Sequence, residues 1–525
     1  MDGMIKIFLC VLFCLAGIMS LGVKAKGENI AYSPEMARVL DSAGANKVEL
    51  EKVLSHYIGD SLKYAAACYL IENMPGHCYA TYKLVDTAGN EIPFNALEFP
   101  TYDSLTKSFD SMQAKMGELD FRRKDLIEDV QTIKADFLTN HIDHAFRAWT
   151  EKPWAKWLSF DQFCRYVLPY RGSNEPLEDW RPYFWDKYID LPGQIKDSTD
   201  PIEAASLINN DIKKWFTFSE IYYFHPTDQG LTEMRQSGYG RCEDMTNLAI
   251  FAMRSNGLAV TSDYTPFWGN AGNNHAWNAI LLRDGRVIPF MGDESNPGEY
   301  KLANKVAKAY RKTYEYHPEN LIFQTRRQEK IPGWLAGKSY IDVTCDYAKT
   351  SDLTIALEQV VPDSVDIAYM AVFNSGEWQA VQWGRIDGGK VNFKAMGRDM
   401  LYLPVLYMNE KIVPAGNPFI LDTAGMMHSI TPDSARAISV RLIEITNPKL
   451  EWSTEGIEKT KVKPGREYEL YYWDGAWKLT GKAMSDDNGV AFSAVPSGAL
   501  YWLRMTDSNK EERVFTIENG NQIWW

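Results

Sequence analysis

Ser237-Gly238-Tyr239-Gly240-Arg241-Cys242-Glu243-Asp244-Met245 is the stretch on which the reading of this chain turns. After Cys242 the apolar residues Met245, Leu248, Ala249, Ala252 and Met253 recur at helical spacing, which predicts one buried helical face. Glu243 and Asp244 fall in the first turn, where the macrodipole favours anions, and Gly257 after Ser255-Asn256 is a stop signal. Cys242 is therefore placed at the start of a buried helix, where unpaired N–H groups and the positive dipole end stabilise a thiolate or an oxyanion. The flanking glycines are expected to let a substrate backbone approach. The two neighbouring carboxylates oppose ionisation, so the thiol needs a base.

A base follows in the sequence. Asn273-Asn274-His275-Ala276-Trp277-Asn278-Ala279-Ile280-Leu281-Leu282 reads as a strand that opens on His275 after the loop Gly269-Asn270-Ala271-Gly272. A turn at Asp284-Gly285 returns the chain through Val287-Ile288-Pro289-Phe290 to Met291-Gly292-Asp293. Antiparallel pairing about that turn sets residues near 293 roughly opposite those near 276, so Asp293 is expected beside His275, with Glu294 as the alternative. Nucleophile, imidazole and carboxylate then meet the role test for a Cys-His-Asp triad. Gln236, six residues before Cys242, has the spacing of an oxyanion glutamine and equally that of an exposed helix residue.

These blocks resemble the transglutaminase-like superfamily: Gly240-Arg241-Cys242-Glu243-Asp244, His275-Ala276-Trp277, and a carboxylate just after Val287-Ile288-Pro289-Phe290. The likeness spans about 130 residues, from the order and gaps of the three blocks. It implies a papain-like core in which Cys242 is the nucleophile, His275 the base and Asp293 the residue that orients the ring, with no metal or organic cofactor. The family often places its Asp directly after the aromatic of the second strand, whereas here Met291-Gly292 intervene. The whole chain also resembles large exported transglutaminase-like proteins of Bacteroidetes, which add helical and β-sandwich modules.

Outside that segment the chain of 525 residues is long enough for several folding units. Its 45% apolar share and 17 Trp exclude a disordered or fibrous chain. With 56 basic against 69 acidic residues and a formal charge of -13, nucleic acid is an improbable partner. Residues 1–25 read as an export signal, with Lys6 before an apolar run from Ile7 to Met19 and Val23-Lys24-Ala25 as the cleavage region. That run is shorter than the ~20 residues needed to span a bilayer. No later segment is apolar enough to span, and a periplasmic or extracellular location is expected. Cys14 lacks the small residues of a lipoprotein box before it.

Removing the leader takes Cys10 and Cys14 from the 7 cysteines, leaving an odd five. Cys68 and Cys78 are near enough in sequence to bridge, while Cys164 and Cys345 lie in apolar surroundings and read as core residues.

A multidomain α+β organisation follows: a helical N-terminal region over 26–195, the catalytic core over 196–333, a β-sandwich domain over 334–447 and a small β domain over 448–525. The period is helical from about 32 to 192, including a long stretch from Tyr102 to Trp149 where strand signals are sparse. The aromatic run from Trp149 to Tyr188 is a packing layer or, alternatively, a cleft wall for peptide or sugar. Thr325-Arg326-Arg327-Gln328-Glu329-Lys330 marks the end of the core, and beyond it Leu353, Ile355, Leu357 and later Ile438, Val440, Leu442 alternate with period two. His141-Ile142-Asp143-His144 reads as a solvated helix and Asp486-Asp487-Asn488-Gly489 as a turn, neither as a metal site.

The activity these readings imply is hydrolysis of peptide, protein or glycopeptide amides by a cysteine enzyme. A true acyl-transferring transglutaminase is one alternative. A non-catalytic glycan- or peptide-binding scaffold with a relic triad is the other.

Overall fold

The structure, a computed structural model, describes residues 32–326, 330–446, 457, 459–506 and 512–525. The leader expected over 1–25 and the domain boundary expected at Pro448 lie outside the described residues. Three helices open the fold: Pro34–Ser42, capped by the Ser33 hydroxyl, Lys47–His56, and Ser61–Glu72, capped by Asp60. Their buried faces carry Leu40, Leu50, Leu54 and Leu70.

The helical stretch expected from Tyr102 to Trp149 is interrupted. The helix Tyr102–Met116 ends at Gly117, whose φ of 84° is open to glycine, and Asp120–Glu128 is a strand. It pairs antiparallel with Cys78–Val85, which also pairs with Glu91–Ile92, so the N-terminal region holds a three-stranded sheet. Asp120–Glu128 is largely exposed and charged, with Leu126 facing solvent, so it has none of the apolar alternation that marks a half-buried strand.

The aromatic run is a packing layer: Trp154, Phe163, Tyr170, Trp180 and Phe184 are almost fully buried. Trp180 stacks on Phe251 of the Cys242–Ser255 helix with ring centroids 5.1 Å apart. One continuous core joins Leu54, Ile142 and Trp180 to Leu248, Ile280 and Phe290, so the division expected near residue 195 runs through shared packing. His141 departs from the solvated-helix expectation. It is 1% exposed, its ring bonds the Leu168 carbonyl at 2.7 Å, and it packs against the buried guanidinium of Arg181.

Behind the Cys242–Ser255 helix lies an antiparallel five-stranded sheet in the order Tyr340–Asp342, Tyr310–Lys312, Val260–Thr265, His275–Leu281, Val287–Phe290. The last two form the hairpin expected about Asp284-Gly285, with Leu281 opposite Val287 and Asn278 opposite Phe290.

From Thr350 on, every regular element among the described residues is a strand. An eight-stranded sheet is centred on Ile367–Asn374, whose residues are buried on both faces. Tyr369, Ala371 and Phe373 pack with Tyr264, Tyr310 and Trp502, while Ala368, Met370 and Val372 enter a second core with Phe393, Tyr402 and Phe419. A further five-stranded sheet has its own core around Leu470, Leu503 and Phe515. Asp433–Leu442, expected in the sandwich before residue 447, pairs with Val490–Ser497 and buries Leu442 in this last core. The Asp486–Gly489 turn is as expected, with Asp486 bound by Arg441 at 2.9 Å. Cys68 and Cys78 are not bridged to each other, and Cys345 is exposed rather than in the core. No helix among the described residues is long and apolar enough to cross a membrane.

The β half reaches into the loop that leads to His275. Asn374 Nδ2 donates to the carbonyls of Trp268, Ala271 and Asn273 at 2.8–3.0 Å. The buried guanidinium of Arg513 donates to the carbonyls of Gly269 at 2.8 Å and Ala271 at 3.2 Å, and to that of Phe373. Removing these donors strands buried carbonyls. Arg513→Met is expected to destabilise the fold by about 3 kcal/mol, and Arg513→Lys to restore little, because an ammonium cannot reproduce the planar fork. Urea unfolding of the three proteins checks this, and equal midpoints would refute it.

Candidate active site

The Cys242–Ser255 helix starts where the sequence places it, and its first turn is held by charge. Buried Asp244 accepts the N–H groups of Arg241 at 3.0 Å and Gln229 at 2.9 Å. The Arg241 guanidinium pairs with Asp228 at 2.6 Å and donates to the carbonyls of Tyr222 and His225. Glu243 pairs with Lys312, which also donates to the Ser173 hydroxyl at 2.9 Å. Gly240 serves this packing rather than substrate approach: a Cβ there would lie 2.6 Å from Cβ of Asp244 and 2.7 Å from the Phe216 ring.

Cys242 lies at the wall of a cleft of about 660 Å³. Its lining includes His77 and residues 171–174 of the N-terminal region, Trp334, Lys338 and Tyr340, and Tyr223 and Tyr264. Gln236 is exposed and is not among the cleft's lining residues, so the structure gives it no place beside the sulfur.

The sulfur meets the His275 strand at its first turn of chain: the Ala276 N–H is directed at Sγ. His275 opens the strand, partly buried, with the Trp268 ring stacked over it at a centroid distance of 5.8 Å and an angle of 28°. Its Nε2 lies 2.8 Å from the hydroxyl of Tyr300, a residue that the sequence reading did not single out.

Asp293 lies just past the paired strand, whose register ends with Asn278 opposite Phe290, in a turn closed by Met291 pairing with Ser295. Its backbone is in the left-handed region, φ 56°, and its N–H donates to Asn209 Oδ1 at 2.7 Å. Preceding Gly292 is pressed on the Cys242–Ser255 helix, where a Cβ would sit 2.5 Å from the Met245 carbonyl oxygen. Asp293 is 8% exposed, and neither carboxyl oxygen has a hydrogen-bond partner among the described residues, His275 included. Glu294 is exposed as a residue, and partial burial of its carboxyl raises its pKa above the usual range.

The electrostatics differ from the standing thiolate expected at a helix tip. Burial, and then the Glu243 carboxylate, push the Cys242 thiol up to about 12 against the pull of the Ala276 N–H and Arg241. Burial pushes the His275 imidazole down to about 4 and, with Glu294, the Asp293 carboxyl up to about 9. At neutral pH the site therefore holds a thiol, a neutral imidazole and a protonated carboxyl. Among the described residues no cluster of His, Cys, Asp or Glu could hold a metal ion.

Two measurements follow from these charges. Alkylation of Cys242 by iodoacetamide is expected to keep rising from about pH 7 to about pH 10, where a thiolate–imidazolium pair would have levelled off near neutrality. Asp293→Asn is expected to stabilise the fold. With the folded pKa above the unfolded one, the acid is disfavoured in its ionised form, so its contribution to stability is full below about pH 4 and is lost as pH rises towards about 9. The amide removes that loss, by about 4 kcal/mol at neutral pH and by nothing at acid pH, as urea midpoints at the two conditions will show; a variant weaker than wild type at neutral pH contradicts this.

No curated protein matches the chain. Residues 189–291 match the model of the transglutaminase-like superfamily, a span that takes in Cys242 and His275 and ends just before Gly292 and Asp293. This chain thus carries a transglutaminase-like superfamily domain, the domain of a superfamily of cysteine-based enzymes.

Proposed function

We propose that the protein is an exported cysteine-dependent amide hydrolase that acts on peptide, protein or glycopeptide substrates through a thioester on Cys242. The observation that carries this reading is the sulfur at a helix start on the wall of a cleft, met by the first N–H after His275. Export rests on the leader-like residues 1–25.

His275 takes the thiol proton as Sγ attacks the amide carbonyl, and a C–S bond forms while the carbonyl oxygen becomes an oxyanion. The backbone N–H of Cys242, in the first helical turn, is the donor placed to hold that oxygen. The C–N bond breaks as His275 returns its proton to the departing amine, and water then cleaves the thioester to acid and thiol. Because thiol and imidazole both rest uncharged, proton transfer and attack occur together. Trp334 and Tyr223, 39% and 37% exposed, stand at a cleft open to water, which supports hydrolysis over transfer. Their ring faces, with Tyr264, suit a peptide or a sugar-bearing peptide.

The rival reading, a binding protein with an inactive triad, is favoured by the raised thiol and the lowered imidazole. Incubation of wild type, Cys242→Ala and His275→Ala with a pool of peptides and glycopeptides, followed by mass spectrometry, separates the readings. Products gaining one water in wild type only are expected. Joined products lacking one ammonia signify transfer. Retained but unaltered ligand in all three proteins rules out turnover and leaves the binding protein.

A further inference from the structure

His275 is gripped from two directions. The Trp268 indole covers one face, and the Tyr300 hydroxyl stands 2.8 Å from Nε2 with the two rings inclined by 42°, an approach through the ring edge. Tyr300 is itself placed by a pinned loop. Asn209 Nδ2 donates to the carbonyls of Met291 and Ser295 and to the Asn296 side chain, and Asn296 Nδ2 donates to Asn210 Oδ1 at 3.1 Å. These bonds fasten residues 291–296 to the helix Pro201–Ile212, four residues ahead of Tyr300. Asp293 in the same loop leaves its carboxyl unbonded.

The geometry points to Tyr300 as the residue that orients the imidazole: Nε2–H donates to the Tyr300 hydroxyl oxygen, which fixes the tautomer in which Nδ1 is the base for the Cys242 thiol. This rests on the hydrolase reading above, and Tyr300 is a positioning residue because it acts through His275. Burial, and then the Glu294 carboxylate and the Cys242 sulfur, hold the phenol well above its usual pKa, so it stays a neutral acceptor. A neutral acceptor fixes a ring without stabilising its cation, which agrees with an imidazole held far below the ordinary histidine range. A tyrosine in this place gives a base that remains unprotonated in mildly acidic surroundings.

The test uses the full chain with all histidines labelled with 15N, His275 being assigned by its loss in His275→Ala, together with the rate of Cys242 alkylation by iodoacetamide read by mass spectrometry. The wild-type spectrum should show His275 with its proton on Nε2, and Tyr300→Phe should abolish that preference. Alkylation should fall about tenfold in Tyr300→Phe, the effect of one lost hydrogen bond, and Tyr300→Phe added to His275→Ala should change nothing further. A wild-type proton on Nδ1 overturns the inference without any variant. So does a Tyr300→Phe rate equal to or above wild type while His275→Ala is slow, or an Asp293→Asn variant that alone reproduces the loss. A His275→Ala protein as fast as wild type instead overturns the hydrolase reading itself.

Discussion

The placement of His275 depends on buried carbonyl groups being given donors. The loop 268–273 approaches its strand with little regular structure, a bridge from Trp268 to Val306 and a bond from the Trp268 N–H to the Asn273 carbonyl aside. Asn374 and Arg513 supply the missing N–H groups from parts of the chain about 100 and 240 residues further on. A buried amide left unpaired costs more than a formed bond gains, which makes this arrangement close to obligatory once the loop is covered. The β half is thus structurally continuous with the site, although its own strands contribute no residue to the nucleophile or base.

The same economy governs the nucleophile. Burial of Cys242 removes water from the sulfur, and the Glu243 carboxylate adds repulsion, although Lys312 compensates part of that charge. The helix start offers N–H groups to an oxyanion, yet the resting sulfur stays protonated. A site of this kind keeps its thiol inert towards adventitious oxidants and electrophiles and spends the helix dipole on the charge that develops during reaction.

Much of the centre was legible in the sequence because its signals are local. Apolar spacing after Cys242 marks a helix, and alternation with Asp284-Gly285 marks a hairpin. Register alone does not say where a side chain points, and the Asp293 carboxyl points to no donor. Tyr300 has no local signal, since its relation to His275 comes from a loop fastened by Asn209. The strand Asp120–Glu128 was hidden by its charged, exposed face. His141 looked polar by type, although its burial answers to Arg181 from another helix. Asp433–Leu442 alternates like its neighbours in sequence, and periodicity carries no record of which sheet a strand joins.

The cleft is assembled from several separate stretches of chain. Sulfur and imidazole belong to the matched superfamily span, whereas His77, residues 171–174 and the Trp334–Tyr340 side of the cleft lie outside it. Part of the cleft wall is consequently written in sequence segments other than the one that carries sulfur and imidazole. Substitutions near His77 or Trp334 can reshape the cleft while sulfur and imidazole stay where they are, so a lineage could alter what the cleft admits without rebuilding its centre.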